Sequence, residues 1–237
     1  MQKSTNTFFR KSNFYSLAML LMVGIISSCG KTDAIDTTIS YLRVVNSSPG
    51  LATYNVYLNG SAINSASLPF AGALAYTSKT AGTYSLKFTS GSNTESLLTK
   101  DVTLNQNTRY SYYLINKPGQ LDGLLIGDDL SMPATDKAYI RFINLSPDAP
   151  ALDLFKTSTT TSYATNKAFK AASGFIAVDA GTYSLDAKDT TTGSVKTTIT
   201  DAVFVAGYHY DVICGGLSNP ANDTEGPIGL HLSLIHI

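Results

Sequence analysis

The chain has 237 residues, with 17 Lys plus Arg against 17 Asp plus Glu, and charged side chains make up only 14% of it. No basic excess exists to form a nucleic-acid footprint, and no run of Lys and Arg forms a polybasic membrane patch. Fourteen Tyr, no Trp and abundant Ser and Thr favour strands with wet polar faces.

The first charges are Lys3, Arg10 and Lys11, and they precede the apolar run Leu17 to Ile26, LAMLLMVGII. That run falls short of the ~20 apolar residues needed to span a bilayer. Residues 1–28 therefore read as a secretory signal peptide. Ile26-Ser27-Ser28-Cys29 resembles the lipobox of bacterial lipoproteins. The resemblance implies cleavage before Cys29, acylation of its thiol, and a membrane partner engaged through the N-terminal lipid. Two or more acyl chains hold firmly where one binds marginally. Residues 29–38 read as a polar tether, and Asp33 and Asp36 are a weak version of the acidic tether of surface-exported Bacteroidetes lipoproteins. The expected location is the cell envelope, as an outer-membrane lipoprotein on its periplasmic or outer side. Without the three signal charges the balance becomes 14 basic against 17 acidic, and Cys214 is the one cysteine left after Cys29. With no intrachain disulfide available, the exported part must hold itself together by a core.

Residues 39–131 alternate apolar and polar side chains over short runs, as in Tyr54/Val56/Leu58 and Tyr84/Leu86/Phe88. Period two over such lengths predicts half-buried strands. Turn signals separate them, among them SSPG at 47–50, Asn59-Gly60 and KPGQ at 117–120. MPATDK at 132–137 carries a proline and reads as a linker. Residues 138–237 then repeat the first pattern. YLRVVNSSPG from Tyr41 aligns with YIRFINLSPD from Tyr139, and AGTYSL occurs at Ala81–Leu86 and again at Ala180–Leu185. A period near one hundred residues is the size of a small domain. The expected fold is all-β: two tandem immunoglobulin-like antiparallel sandwiches of roughly seven strands each. In the second, strands are expected at 138–144, 151–156, 173–178, 182–188, 194–204, 208–214 and 227–232, with a helix at Tyr163–Ala172.

Arg141 to Asp153, RFINLSPDAPALD, resembles the RVxNxSPDAPxxDV opening of a bacterial family of unknown function, the one numbered 4397, and the AGTY segment is also typical of it. The first repeat is a looser copy, with Ser48-Pro49-Gly50 and no acid matching Asp148. The resemblance implies exported, often lipid-anchored β-sandwiches with no established activity. Read from the residues, Ser146-Pro147-Asp148 builds a turn, with Pro setting φ and Asp accepting a backbone N–H two residues on. Asp148 with Asp153 is also a candidate oxygen pair for a cation, but calcium needs 6–8 oxygens and the first repeat offers none, so no metal is expected. Arg43 and Arg141 are expected to pair with a carboxylate or cap carbonyls near this turn. Asn46 and Asn144 recur at the same offset and belong to the same structural motif. Tyr84 and Tyr183 are expected to point inward with a bonded hydroxyl, as a tyrosine corner or a core-edge residue.

No nucleophile elbow, Walker loop, HExxH or CxxC occurs, so neither an enzyme nor a cofactor is expected. His209 and Asp211 share one strand face as a surface pair, and Cys214 shares the predicted core parity. Asp128 and Asp129 are adjacent and so fall on opposite strand faces. The final SLIHI resembles translated sequencing-adapter sequence, which leaves the authentic C-terminus open. The functional expectation is a binding or structural module for a glycan or an envelope protein, with a passive spacer as the alternative and a hydrolase of unrecognised site a distant third. Cys29→Ala is expected to abolish metabolic acyl labelling and release the protein into the soluble fraction; continued membrane association would refute the lipid anchor.

Overall fold

Alternating side chains set the strands, and their two faces set the layers. The computed structural model describes residues 38–235, so the signal peptide, Cys29 and most of the tether lie outside the described residues. The first repeat contributes β1 (Ile39–Asn46), β2 (Tyr54–Leu58), β3 (Ser61–Ala62), β4 (Thr77–Thr80), β5 (Gly82–Ser90), β6 (Ser96–Leu104), β7 (Arg109–Ile115) and β8 (Asp122–Asp128). The second contributes β9 (Lys137–Asn144), β10 (Leu152–Lys156), β11 (Ser162–Lys167), β12 (Ile176–Asp179), β13 (Gly181–Asp189), β14 (Val195–Phe204), β15 (His209–Gly215) and β16 (Gly229–Ile235). No helix occurs among the described residues.

The sheets run β4-β1-β7-β8 and β3-β2-β5-β6 in the first repeat, and β12-β9-β15-β16 and β11-β10-β13-β14 in the second. The order is the same with every label advanced by eight. Each pair of sheets closes on its own core. One core holds Leu42, Val44, Val56, Phe88, Tyr112 and Leu114. The other holds Ile140, Phe142, Leu154, Leu185, Val212 and Cys214, whose thiol burial pushes up to about 12.

Three expectations change. Each repeat has eight strands rather than seven. The segment expected as a helix at Tyr163–Ala172 is β11 and the turn after it. A register shift against β10 and a left-handed Asn166 (φ 53°) interrupt its period of two, which hid the strand from pattern reading. The sandwiches are also not purely antiparallel, because β1 pairs parallel with β7 and β9 with β15. A parallel partner requires a long crossover, and the five strands between β1 and β7 supply it.

The motif residues that recur between the repeats are tied into the backbone in both. Asn46 Oδ1 accepts from Ser48 N at 3.0 Å and its Nδ2 donates to Leu68 O at 3.1 Å. Asn144 Oδ1 accepts from Ser146 N at 3.2 Å and its Nδ2 donates to Lys167 O at 3.0 Å. Tyr84 donates to Thr80 O at 2.6 Å and Tyr183 to Asp179 O at 3.2 Å, each four residues upstream, as a tyrosine corner does.

The described residues form one compact unit, and a third apolar cluster explains why. Val45, Tyr113 and Ile115 of the first repeat meet Ile143, Leu145 and Ile213 of the second. Sheet β4-β1-β7-β8 therefore packs on sheet β12-β9-β15-β16, and the central strands of both are buried on two faces. That gives β7 and β15 nearly unbroken burial along their length. Phe70 adds an edge-on contact with His231 at 5.0 Å, and Lys170 Nζ reaches Asp122 Oδ2 at 2.7 Å.

One packing detail is acutely sensitive to size. Tyr112 stacks on Phe88 and lies diagonally over Gly123 of β8, where an added Cβ would meet the Tyr112 hydroxyl at 1.7 Å. Gly123→Ala is expected to lower stability by about 1–3 kcal/mol through overpacking. A denaturant double-mutant cycle with Tyr112→Leu should show coupling between the two positions; additive effects would contradict it.

Candidate functional site

Strand parity sends Tyr110, Tyr112 and Leu114 of β7 into the first core, and Arg109, Ser111 and Tyr113 to the opposite face. On β15 it sends Tyr210, Val212 and Cys214 inward and His209, Asp211 and Ile213 outward. In an isolated sandwich those outward faces would be wet. Here each is covered by the other repeat.

Arg43 of β1 and Arg141 of β9, 3% and 2% exposed, converge on Asp211, which is fully buried. Arg43 Nη2 is hydrogen-bonded and ion-paired with Asp211 Oδ2, while Arg141 Nε donates to Asp211 Oδ1 at 2.8 Å. Tyr113 donates to Asp211 Oδ2 at 2.5 Å and accepts from Arg141 Nη2 at 2.9 Å. Arg141 Nη2 also faces Asp128 Oδ1 at 2.8 Å, an ion pair without an aligned hydrogen bond. Asp128 Oδ2 accepts from Ser111 at 2.7 Å and from Tyr76 at 2.5 Å, and Arg43 Nε donates to Ser111 Oγ at 2.6 Å. Arg43 Nη1 further reaches Ser233 Oγ and Leu234 O, each at 3.3 Å.

Burial by itself pulls the guanidinium of Arg43 down, but Asp211 and the surrounding acids outweigh it and the net shift is upward; Arg141 behaves the same way. Burial and then the Asp211 charge push the Tyr113 hydroxyl up, so it remains a donor. Two guanidinia against two carboxylates form a closed neutral set.

A cleft opens on each flank of this seam. The first, about 480 Å³, is lined by Tyr41, Leu74, Tyr76, Arg109 and Leu234, with Arg43 at its base. The Arg109 guanidinium lies 5.0 Å over the Tyr41 ring, and Arg43 lies 5.9 Å from that of Tyr76. Burial and then Asp128 push the Tyr76 hydroxyl up. The second, about 350 Å³, is lined by the corresponding Tyr139, Arg141 and Phe175, with Ile126 and linker residues. Here the linker closes over the floor. Ala134 N donates to Tyr139 Oη at 2.7 Å, Tyr139 donates back to Ala134 O at 2.8 Å, and His209 Nε2 lies 3.2 Å from Ser131 O. Tyr139 is left 3% exposed and stacked on His209 at 4.8 Å, whereas Tyr41 remains half-buried.

The residues singled out in the sequence fall in different places. Asp148 caps the loop before β16, accepting from Ser218 N at 2.8 Å and Asn219 N at 2.9 Å, with Ser146 Oγ at 3.4 Å. Asp153 accepts from Asn166 N and Thr190 Oγ1, both at 2.7 Å, so the two acids belong to separate hydrogen-bond sets. Pro147 follows the buried Ser146 in the same turn. Arg43 and Arg141 do pair with carboxylates, but at the seam and not at the turn. The His209–Asp211 pair expected on the surface is buried: Arg43 and Tyr113 of the neighbouring repeat cover Asp211, while Tyr139, Phe175 and the segment at Ser131 enclose His209; burial is the main cause holding His209 below its ordinary value. Sequence reading did not single out Tyr76, Arg109, Tyr113 or Asp128 as site residues. The available signal was Asp211, a charged residue midway along an apolar strand.

Residues 40–155 match the model of a family described as "Domain of unknown function (DUF4397)". The match runs from the opening of the first repeat through β10 of the second. Among curated proteins nothing matches. Among solved structures, a carbohydrate-binding module from Eubacterium rectale Amy13K, CBMbc of family CBM26 in complex with maltoheptaose, is similar at 9% identity and a TM-score of 0.27, over 79% of this chain and 99% of that one. The Bacillus anthracis TIE protein gives 11% identity and a TM-score of 0.25, over 75% of this chain and 34% of that one. A leucine-rich repeat protein from Bacteroides thetaiotaomicron gives 13% and 0.19, over 82% of this chain and 27% of its own. Likenesses this distant carry no argument about ligand or role.

The buried set yields a direct test. Asp211→Asn leaves two buried guanidinia facing one carboxylate, and removing one partner of a buried ion pair costs roughly 3–5 kcal/mol. Chemical denaturation should show a loss of that size; a loss below about 1 kcal/mol would place Asp211 among surface-type pairs.

Proposed function

We propose that this protein is a non-catalytic binding module held at the cell envelope by a lipid on Cys29, and that its ligand is a saccharide bound in the Tyr41–Tyr76–Arg109 cleft. The observation that carries the reading is that cleft: two tyrosine rings and a guanidinium around an open concavity of about 480 Å³. Pyranose rings present apolar C–H faces and polar hydroxyl edges. Rigid aromatic walls with a few convergent polar groups match that division. The SPDAP loop does not line this cleft, so its role in the reading is structural.

A spacer role has one observation of its own. The shared apolar seam and the buried Arg–Asp set join the two repeats along their central strands, which suits a rigid pillar as well as a binding platform. The two readings separate on a glycan array probed with the chain from Gly30 onward. Tyr41→Ala should weaken binding by roughly tenfold, the scale of an aromatic hot spot, while Phe175→Ala in the other cleft should not. Array binding indifferent to Tyr41 would move the site out of this cleft, and no array binding at all would favour the spacer.

A further inference from the structure

The three described arginines differ in how their charge is met. Arg43 and Arg141 face Asp211 and Asp128, and that set closes on itself. Arg109 stands outside it. Among the described residues its guanidinium makes no ion pair and is held against the Tyr41 ring at 5.0 Å. Asp128 is its partner across the β7–β8 ladder, yet both Asp128 oxygens are turned to Ser111, Tyr76 and Arg141. Among the described residues no carboxylate lines the cleft that Arg109 faces.

The second repeat gives the contrast. His209 occupies the position of Arg109, paired with Tyr139 as Arg109 is with Tyr41. It is buried, stacked, and set against the carbonyl of Ser131, just before the linker. One repeat thus places a titratable ring under a covering segment. The other places a permanent cation with a planar donor fork at an open cleft. The duplicated scaffold is otherwise closely matched here, so the exchange changes the chemistry of the cleft and leaves its framework alone.

We infer that the first cleft selects acidic saccharides, with a uronic-acid carboxylate forking onto Arg109 while its sugar ring packs on the neighbouring tyrosines. This rests on the saccharide reading above and narrows it. A forked carboxylate needs two parallel N–H donors on one side of a guanidinium, and stacking on Tyr41 leaves the guanidinium edge free to supply them. The surplus charge also answers a substrate that the mature chain, with its slight acidic excess, would otherwise repel.

The test uses the chain from Gly30 onward with galacturonic acid oligomers and the same oligomers methyl-esterified, which keeps the shape and removes the charge. Calorimetry should show the acid form binding at least about tenfold more tightly, with affinity falling as salt rises. Arg109→Gln should reduce acid-oligomer affinity roughly tenfold to a hundredfold, as for a charge-assisted bond, with the melting temperature falling only by the little that loss of the contact with Tyr41 costs. Arg109→Lys should recover only part of it, since the fork is lost. Equal affinity for both oligomers, or indifference to Arg109→Gln, overturns the inference; if Tyr41→Ala still weakens binding in that case, the saccharide reading stands. Binding of neither oligomer overturns the inference alone, and Tyr41-dependent binding of a neutral glycan on the array then keeps the saccharide reading; binding of an acidic peptide such as poly-aspartate and of no glycan would reassign the cleft to proteins.

Discussion

Everything in this molecule is arranged around the need to neutralise two guanidinia that have been taken out of water. Burying Arg43 and Arg141 costs several kcal/mol per ion even after relaxation, and the cost is offset only where geometry and hydrogen bonding are good. Asp211 meets both, Asp128 meets one, and Tyr113, Tyr76 and Ser111 bond to what remains. Arg141 and Asp211 share the second repeat, but Arg43–Asp211, Arg141–Asp128 and Tyr113–Asp211 cross between repeats, so the set closes only when the two sandwiches are docked. The apolar seam of Val45, Tyr113, Ile143 and Ile213 supplies attraction without much direction. The ionic set supplies direction, since a slipped interface would strand a buried charge.

The repeats are alike in strand order and unlike in chemistry. Arg43 and Arg141 occupy matching positions beside β7 and β15. Their carboxylates do not. The residue across from Arg141 is Asp211, while the one across from Arg43 is Ser111, and the second acid comes from the end of β8, where β16 has Ile235. The charge pairing is therefore asymmetric between two repeats that share one strand order. The clefts beside it follow suit: one is floored by the linker, the other is open and carries the unmatched Arg109.

That asymmetry ties structure to the proposed role. A stiff seam fixes the spacing of Tyr41, Tyr76 and Arg109, which lie on three different strands or loops of the first repeat. Binding to a preformed cleft avoids the ordering cost that a mobile site would incur. The same stiffness would serve a spacer, so rigidity by itself does not choose between the roles; the aromatic and cationic lining is what distinguishes them.

Much of the fold was legible in the residues. Period-two runs, turn residues and the doubled YxRxxN and AGTYSL segments led to two β-sandwiches with nearly correct strand positions. The parity of Cys214, Arg43 and Asp211 was readable as well. These are local properties: alternation and turn chemistry act over a few residues. The strand β11 escaped because a bulge and one left-handed Asn break the alternation. What tertiary structure decided was which polar faces are wet. His209 and Asp211 lie on the outward face of their sandwich; the arrival of the other repeat makes that face an interior at Asp211, and the connecting segment with Tyr139 and Phe175 encloses His209. It also decided that Arg43 would answer a carboxylate 168 residues away, and that Arg109 would have none among the described residues. Charge pairing across an interface depends on how two separately patterned sheets dock, and no period in the chain encodes that.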